Sequence, residues 1–182
     1  MKKIGIVVGS LRKDSFSKNV ARTLTECAPK SLSFVWLDIS RLELFNQDFD
    51  DLGQTPESYK VFRKAVAECD GYLFVTPEYN RSVPAAIKNA LDVASRPYGQ
   101  NVWAKKPGAV VSVSPGAMGG FGANHHLRQT LVFLDVYTMQ QPETYVGGVN
   151  NIFDEQGRLT SESAKGFFTA VMKSFDEWAK RF

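Results

Sequence analysis

Two rhythms of apolar and polar residues alternate along the chain. Continuous apolar runs, rich in β-branched and aromatic residues, predict strands at 4–9 (IGIVVG), 33–39 (SFVWLDI), 71–76 (GYLFVT) and 107–114 (PGAVVSVS). A short fifth strand is predicted near 136–140. Stretches of 3.6-residue period lie between them. The first helix, 17–27, carries Val20, Leu24 and Cys27 on one face. Others run from about Glu57 to Glu68, Val83 to Ser95 and Asn124 to Leu134. The last, Ser161 to Arg181, places Phe167, Phe168, Val171, Phe175 and Trp178 at helical spacing, as core or interface residues. A polar, Asp-rich loop precedes the second helix.

Strand–helix alternation predicts an α/β fold with a parallel sheet and helices on both faces. Strands with no polar alternation are those covered on both sides. Five strands favour the flavodoxin-like order 2-1-3-4-5, whose switch point lies between strands one and three. Ligands bind such sheets at the carboxyl ends of the strands, near that point. The 182 residues suit a single domain spanning 1–182, with no repeat or linker.

Composition narrows the function classes. A charged content of 23% and a net charge of +3, without a Lys/Arg run, exclude a nucleic-acid tract. Cys27 and Cys69, the only cysteines, form neither a CxxC nor a metal-ligand spacing, so reduced structural thiols are expected. The start of the chain reads directly into a strand, and no apolar run is long enough to span a bilayer. A cytoplasmic location is expected, with no membrane or nucleic-acid partner.

The candidate chemistry lies in three loops. The first, GSLRKDSFSKN, follows the first strand and enters a helix, the geometry of an anion site. It lacks the glycine-rich dinucleotide and triphosphate motifs. Instead Ser10, Ser15 and Ser17 offer hydroxyls and Arg12 a planar fork, a set suited to a terminal phosphate monoester. The plainer alternative is that Ser15 or Ser17 only caps the helix. The second loop lies within TPEYNRSVPAAIKNALD, 76–92. Ser82 is placed as an N-cap and Pro84 in the first helical turn. Pro77 to Arg81 can present backbone groups to the edge of a planar heterocycle; Glu78 reads as a backbone contributor rather than a general acid. The third loop, SPGAMGGFGAN, 114–124, holds four glycines that permit close backbone approach to a ligand, or else form a flexible lead into a helix. One loop built for phosphate and two for a flat ring point to a mononucleotide with one phosphate, best a flavin. No nucleophile–base pair or metal motif appears. His125 and His126 are adjacent on a helix and diverge by about 100°.

GSLRKDSFS, TPEYNRSVP and SPGAMGG, each after its strand, resemble the NAD(P)H-dependent FMN reductases, including quinone and chromate reductases. The likeness extends over nearly the whole chain. It implies that Ser10, Arg12, Ser15, Phe16 and Ser17 hold the FMN phosphate. It implies that Pro77, Glu78, Tyr79 and Asn80 line the isoalloxazine, and that Ser114 and Gly116 lie near its pyrimidine end. It further implies a homodimer or homotetramer. One departure is Pro84-Ala85-Ala86, where the family often has Pro-Gly. Arg81 is either solvated or meets the phosphates of NAD(P)H. The function implied is transfer of hydride from NAD(P)H to FMN and reduction of a quinone-like acceptor, by a ping-pong sequence. The rivals are a flavodoxin-type electron carrier and a non-catalytic flavin-binding module. Carriers that dock on basic partners are expected to be acidic, which a charge of +3 disfavours.

Overall fold

In the computed structural model, which describes residues 1–182, strand β1 (Lys2–Val8) turns Ile4, Ile6 and Val8 to one face of the sheet and Val7 to the other. The same alternation runs through β3 (Gly71–Pro77) and β4 (Pro107–Val113): Leu73, Val75, Val111 and Val113 join the first face, and Tyr72, Phe74 and Val110 the second. Strand β2 (Leu32–Trp36) pairs with the outer side of β1. It is shorter than predicted, because after Leu37, whose N–H still bonds Ile6, the chain turns away from the ladder. The parallel order is β2-β1-β3-β4-β5, with β5 at Tyr137–Thr138.

The fifth position holds a second piece that the sequence pattern did not reveal. Strand β6 (Thr144–Val146) pairs with β4 beyond β5, so the sheet has six strands instead of five. Asn124, fully buried, bridges this interruption. Its amide donates to Ser112 Oγ and the Thr144 carbonyl, and accepts from Arg128, which also binds the Met139 carbonyl. Trp178 Nε1 donates to the Tyr137 carbonyl at 2.8 Å, covering the outer side of β5.

Helices α1 (Phe16–Glu26) and α6 (Glu162–Ala179) bury Val20, Leu24, Phe168, Val171 and Phe175 on the first face. A truncation such as Leu24→Ala removes contacts worth about 2–5 kcal/mol. The other face carries α3 (Glu57–Ala67), α4 (Ala85–Ala94) and α5 (Phe121–Phe133), around a fully buried Trp103. The Trp103 ring meets Tyr72 edge-on at 4.8 Å, and its Nε1 bonds the Leu91 carbonyl. The Asp-rich loop contains a short helix, α2 (Asp48–Asp51). Helix α5 starts earlier than predicted. Leu127, Leu131 and Leu134 are consumed by this core, while Val132 and Phe133 remain outside at 71% and 81% exposure. No helix is long and apolar enough to cross a membrane.

Candidate functional site

The parallel topology delivers the loops after β1, β3 and β4 to one end of the sheet. Ser15 is the N-cap of α1: its Oγ accepts the Lys18 N–H, and its carbonyl accepts from Lys18 and Asn19. The N–H groups of Phe16 and Ser17 bond nothing within the chain. Ser10 and Ser17 are 4% and 2% exposed, yet neither hydroxyl has an intrachain partner, and neither oxygen is sealed from the adjoining cavity. Near-buried hydroxyls without partners cost free energy unless a ligand or water takes them. Arg12 lies beside them, its carbonyl held by Lys18 Nζ at 2.9 Å. These are the donors an anion needs at a helix N-terminus.

The second loop is a two-residue hairpin. Tyr79 and Ser82 exchange backbone hydrogen bonds of 2.9 and 3.0 Å around Asn80 (φ 50°) and Arg81 (φ 67°), a type I′ geometry. Asparagine tolerates this region, whereas arginine there costs about 1–2 kcal/mol. Ser82 does not cap α4, contrary to expectation. Its Oγ pairs with His126 Nδ1 at 2.9 Å, and Pro84 occupies the cap position with no side-chain bond. Glu78 is more than a backbone contributor: its Oε2 accepts the Ala123 N–H at 3.0 Å. A Cβ on Gly122 would lie 2.6 Å from the Arg81 carbonyl oxygen, so the hairpin lies directly against the first turn of α5. The N–H groups of Glu78 and Asn80 remain without intrachain partners.

Most glycines of the third loop serve the chain itself. Gly119 (φ 58°) approaches the Tyr145 backbone so closely that a Cβ would meet it at 2.7 Å, and Gly120 (φ 79°) is the N-cap of α5. Chain packing at the entry to α5 thus accounts for Gly119, Gly120 and Gly122, while a Cβ on Gly116 would meet only Ser114 Oγ, at 3.5 Å. Ser114 Oγ accepts the Gly116 N–H at 3.1 Å, and the Gly116 carbonyl accepts from Gly119 and Gly148. His125 Nε2 lies 3.0 Å from the Tyr145 hydroxyl, so the two adjacent histidines serve different partners. Burial, then a hydrogen bond with Glu143, pushes the Tyr145 phenol above its usual range.

A cavity of about 140 Å³ joins the loops. Ser10, Arg12, Ser15, Phe16, Ser17, Pro77, Glu78, Tyr79 and Ser114 line it. Asn80 and Arg81, at the hairpin tip, and Gly116 are outside its lining. Val113, Pro115 and Val149 complete it. Val149 follows β6, and the only sequence signal for it is the Gly147-Gly148 pair after Tyr145-Val146.

Comparison with known proteins places this geometry in context. Residues 2–151 match the family model of NADPH-dependent FMN reductases. The chain is 52% identical over 177 residues to a quinone reductase of Pseudomonas putida, covering 97% of this chain and 94% of that protein. It is 44% identical to the 2-hydroxy-1,4-benzoquinone reductase of a Burkholderia species, covering 98% and 96%. Among solved structures, FerB from Paracoccus denitrificans, a flavoenzyme NAD(P)H:(acceptor) oxidoreductase, superposes with a TM-score of 0.92 at 36% identity, covering 100% and 98%.

Proposed function

Because the chain belongs to the NADPH-dependent FMN reductase family, we propose that its three loops form one FMN site at which NAD(P)H and a quinone-like acceptor react in turn. The chain is an NAD(P)H-dependent FMN oxidoreductase of the quinone reductase type. In this reading residues 1–182 act as one FMN-binding domain.

The pair of near-buried hydroxyls on Ser10 and Ser17, unpartnered beside Arg12 at the start of α1, carries the assignment. These groups, with the Phe16 and Ser17 N–H donors, hold the phosphate. Charge-assisted bonds of this kind contribute about 1.5–3 kcal/mol each. Ser15 contributes mainly by fixing the first turn. The cavity would take the phosphate and the start of its attached chain, and the open ledge between hairpin 78–82 and residues 114–116 would hold the ring, where the N–H groups of Glu78 and Asn80 are free to donate. Pro77 and Tyr79 set the wall of that ledge, and Ser114 and Gly116 its far end.

Held by these residues, FMN would supply the redox chemistry: uptake of a hydride from NAD(P)H and, with a proton from solvent, delivery of two electrons and two protons to a quinone, giving the hydroquinone. The chain contributes orientation and a ledge open on one side. Donor and acceptor cannot share that side at once, so turnover is ping-pong. The acceptor is a flat, electron-poor molecule. The exposed Val132 and Phe133 suit an oligomer contact between copies, a homodimer or homotetramer.

The test begins with a visible absorption spectrum of the purified protein and an anaerobic NAD(P)H titration. A flavin spectrum bleached by NAD(P)H alone, followed by parallel lines in double-reciprocal plots with a soluble quinone, is the expected result. Intersecting lines reject the shared face. Bleaching without quinone turnover favours the electron-carrier reading.

A further inference from the structure

A second cavity, of about 520 Å³, lies on the other side of the phosphate-binding loop, between α1 and the end of β2. Ser10 lines both cavities, so they meet across the loop. One wall is the face of α1 that carries Lys18, Arg22 and Thr25, at helical spacing. The opposite wall is Trp36 and Asp38, over an apolar floor that includes Leu37 and Ile39.

Three of these residues have unused binding capacity. Trp36 is 48% exposed at the end of β2, the edge strand. The exposed Arg22 guanidinium forms no ion pair within the chain, so its fork is free. Asp38 spends one oxygen on Ser40, accepting its N–H at 2.9 Å and its hydroxyl at 2.6 Å, and leaves the other free. The Ser40 hydrogen bonds, helped by Arg41 and Lys18, hold the Asp38 carboxyl below its usual range, so it stays an acceptor.

A flat indole, an apolar floor, a planar cation and a free carboxylate oxygen together match a heterocyclic base joined to a sugar and a phosphate. The indole stacks on the base. The carboxylate, at the carboxyl end of the second strand of a parallel sheet, accepts from ribose hydroxyls, as acids do there in doubly wound dinucleotide folds. The guanidinium fork takes a phosphate. Charge supports a second anion. Residues 9–22 hold Arg12, Lys13, Lys18 and Arg22 against Asp14, four cations to one anion, which exceeds the charge of one phosphate monoester. An electron acceptor is a poor occupant, because this groove adjoins the phosphate end of the flavin site and not its ring ledge.

We propose that this groove binds the adenosine-phosphate half of the nicotinamide dinucleotide donor. The proposal rests on the functional reading above, in which the donor's nicotinamide reaches the ring ledge.

The experiment compares two kinds of donor on the FMN-loaded enzyme: the dinucleotides NADH and NADPH, and reduced nicotinamide mononucleotide, which lacks the adenosine half. Trp36→Ala and Arg22→Ala are expected to raise the dinucleotide KM roughly tenfold, in line with the worth of one base stack or phosphate fork. The kcat, the FMN affinity and both constants for the mononucleotide should not change. Trp36→Phe keeps a stacking ring and should recover most of the affinity, which separates stacking from a folding defect. AMP should inhibit competitively against the dinucleotide, and more weakly in Arg22→Ala. Equal losses with both donors, an unchanged dinucleotide KM in Trp36→Ala, or noncompetitive AMP inhibition would each overturn the proposal. A wild-type enzyme that oxidises the mononucleotide normally while failing these tests loses the groove but keeps the function. One that oxidises no donor loses both.

Discussion

Glu78 and Ala123, 45 residues apart in the chain, are joined by a carboxylate-to-backbone hydrogen bond of 3.0 Å. Gly120, at the N-cap of α5, has no side chain to accept from the first turn, and Glu78 supplies the missing oxygen from a neighbouring loop. Glu78→Ala is expected to lower stability by about 0.5–2 kcal/mol, the worth of a cap. It should also weaken FMN binding by freeing the hairpin. Glu78→Gln keeps an acceptor and should lose less of both. Thermal melts with and without FMN measure the two effects separately.

Arg12 is exposed, so its side chain contributes little to the folded core. Arg12→Ala should weaken FMN binding by about 1.5–3 kcal/mol, roughly ten- to a hundredfold. Riboflavin, which has no phosphate, should bind the wild type and the variant alike. Fluorescence titration with both flavins checks this, and circular dichroism of the apoprotein checks that the fold survives.

Arg81 occupies a backbone conformation that glycine adopts freely. Arg81→Gly should therefore stabilise the protein by about 1 kcal/mol, whereas Arg81→Ala should not. If the guanidinium meets NAD(P)H, both variants raise the donor KM and leave the quinone KM unchanged. Chemical denaturation and initial rates together separate strain from binding.

Asp50 is gripped by Arg63 through two hydrogen bonds, of 2.8 and 2.6 Å. The Arg63 hydrogen bonds, more than any other cause, hold its carboxyl below the usual range. A depressed carboxyl contributes stability that is fully present above the unfolded value, near 3.9, and is lost as pH falls through the lower folded value. The melting temperature should therefore drop on acidification from about pH 5 to 2. Asp50→Asn should be less stable at neutral pH and show a shallower drop. Melts across that range provide the check.

Phe133 is 81% exposed on α5, beside Val132. If copies associate through this surface, Phe133→Glu should shift sedimentation at micromolar concentration toward the monomer without changing the helical content of the fold. A monomeric wild type would contradict the association.

The sheet order was legible because β1, β3 and β4 are covered on both faces and so read as unbroken apolar runs. The short strand expected near 136–140 is present at Tyr137–Thr138, but the second piece of that position, β6, was not legible. Residues 137–146 (YTMQQPETYV) divide into pieces of two and three residues, too short for a periodic signal, around a proline that offers no N–H. At the site, the residues after β1 were legible from hydroxyls and a cation at a strand-to-helix junction. The Glu78–Ala123 and Ser82–His126 bonds were not, since contacts 44 and 45 residues apart leave no local pattern. Glycines 119, 120 and 122 show a further limit: composition signals close approach but does not say whether ligand or chain does the approaching.

The divided outer strand also bears on how molecules of this protein meet one another. A long, straight margin of unpaired amides invites strand addition by a neighbouring chain and, from there, aggregation. Here that margin is broken into two short segments, and the Tyr137 carbonyl is already occupied by Trp178. A newly synthesised copy finds no continuous template for strand addition on this side.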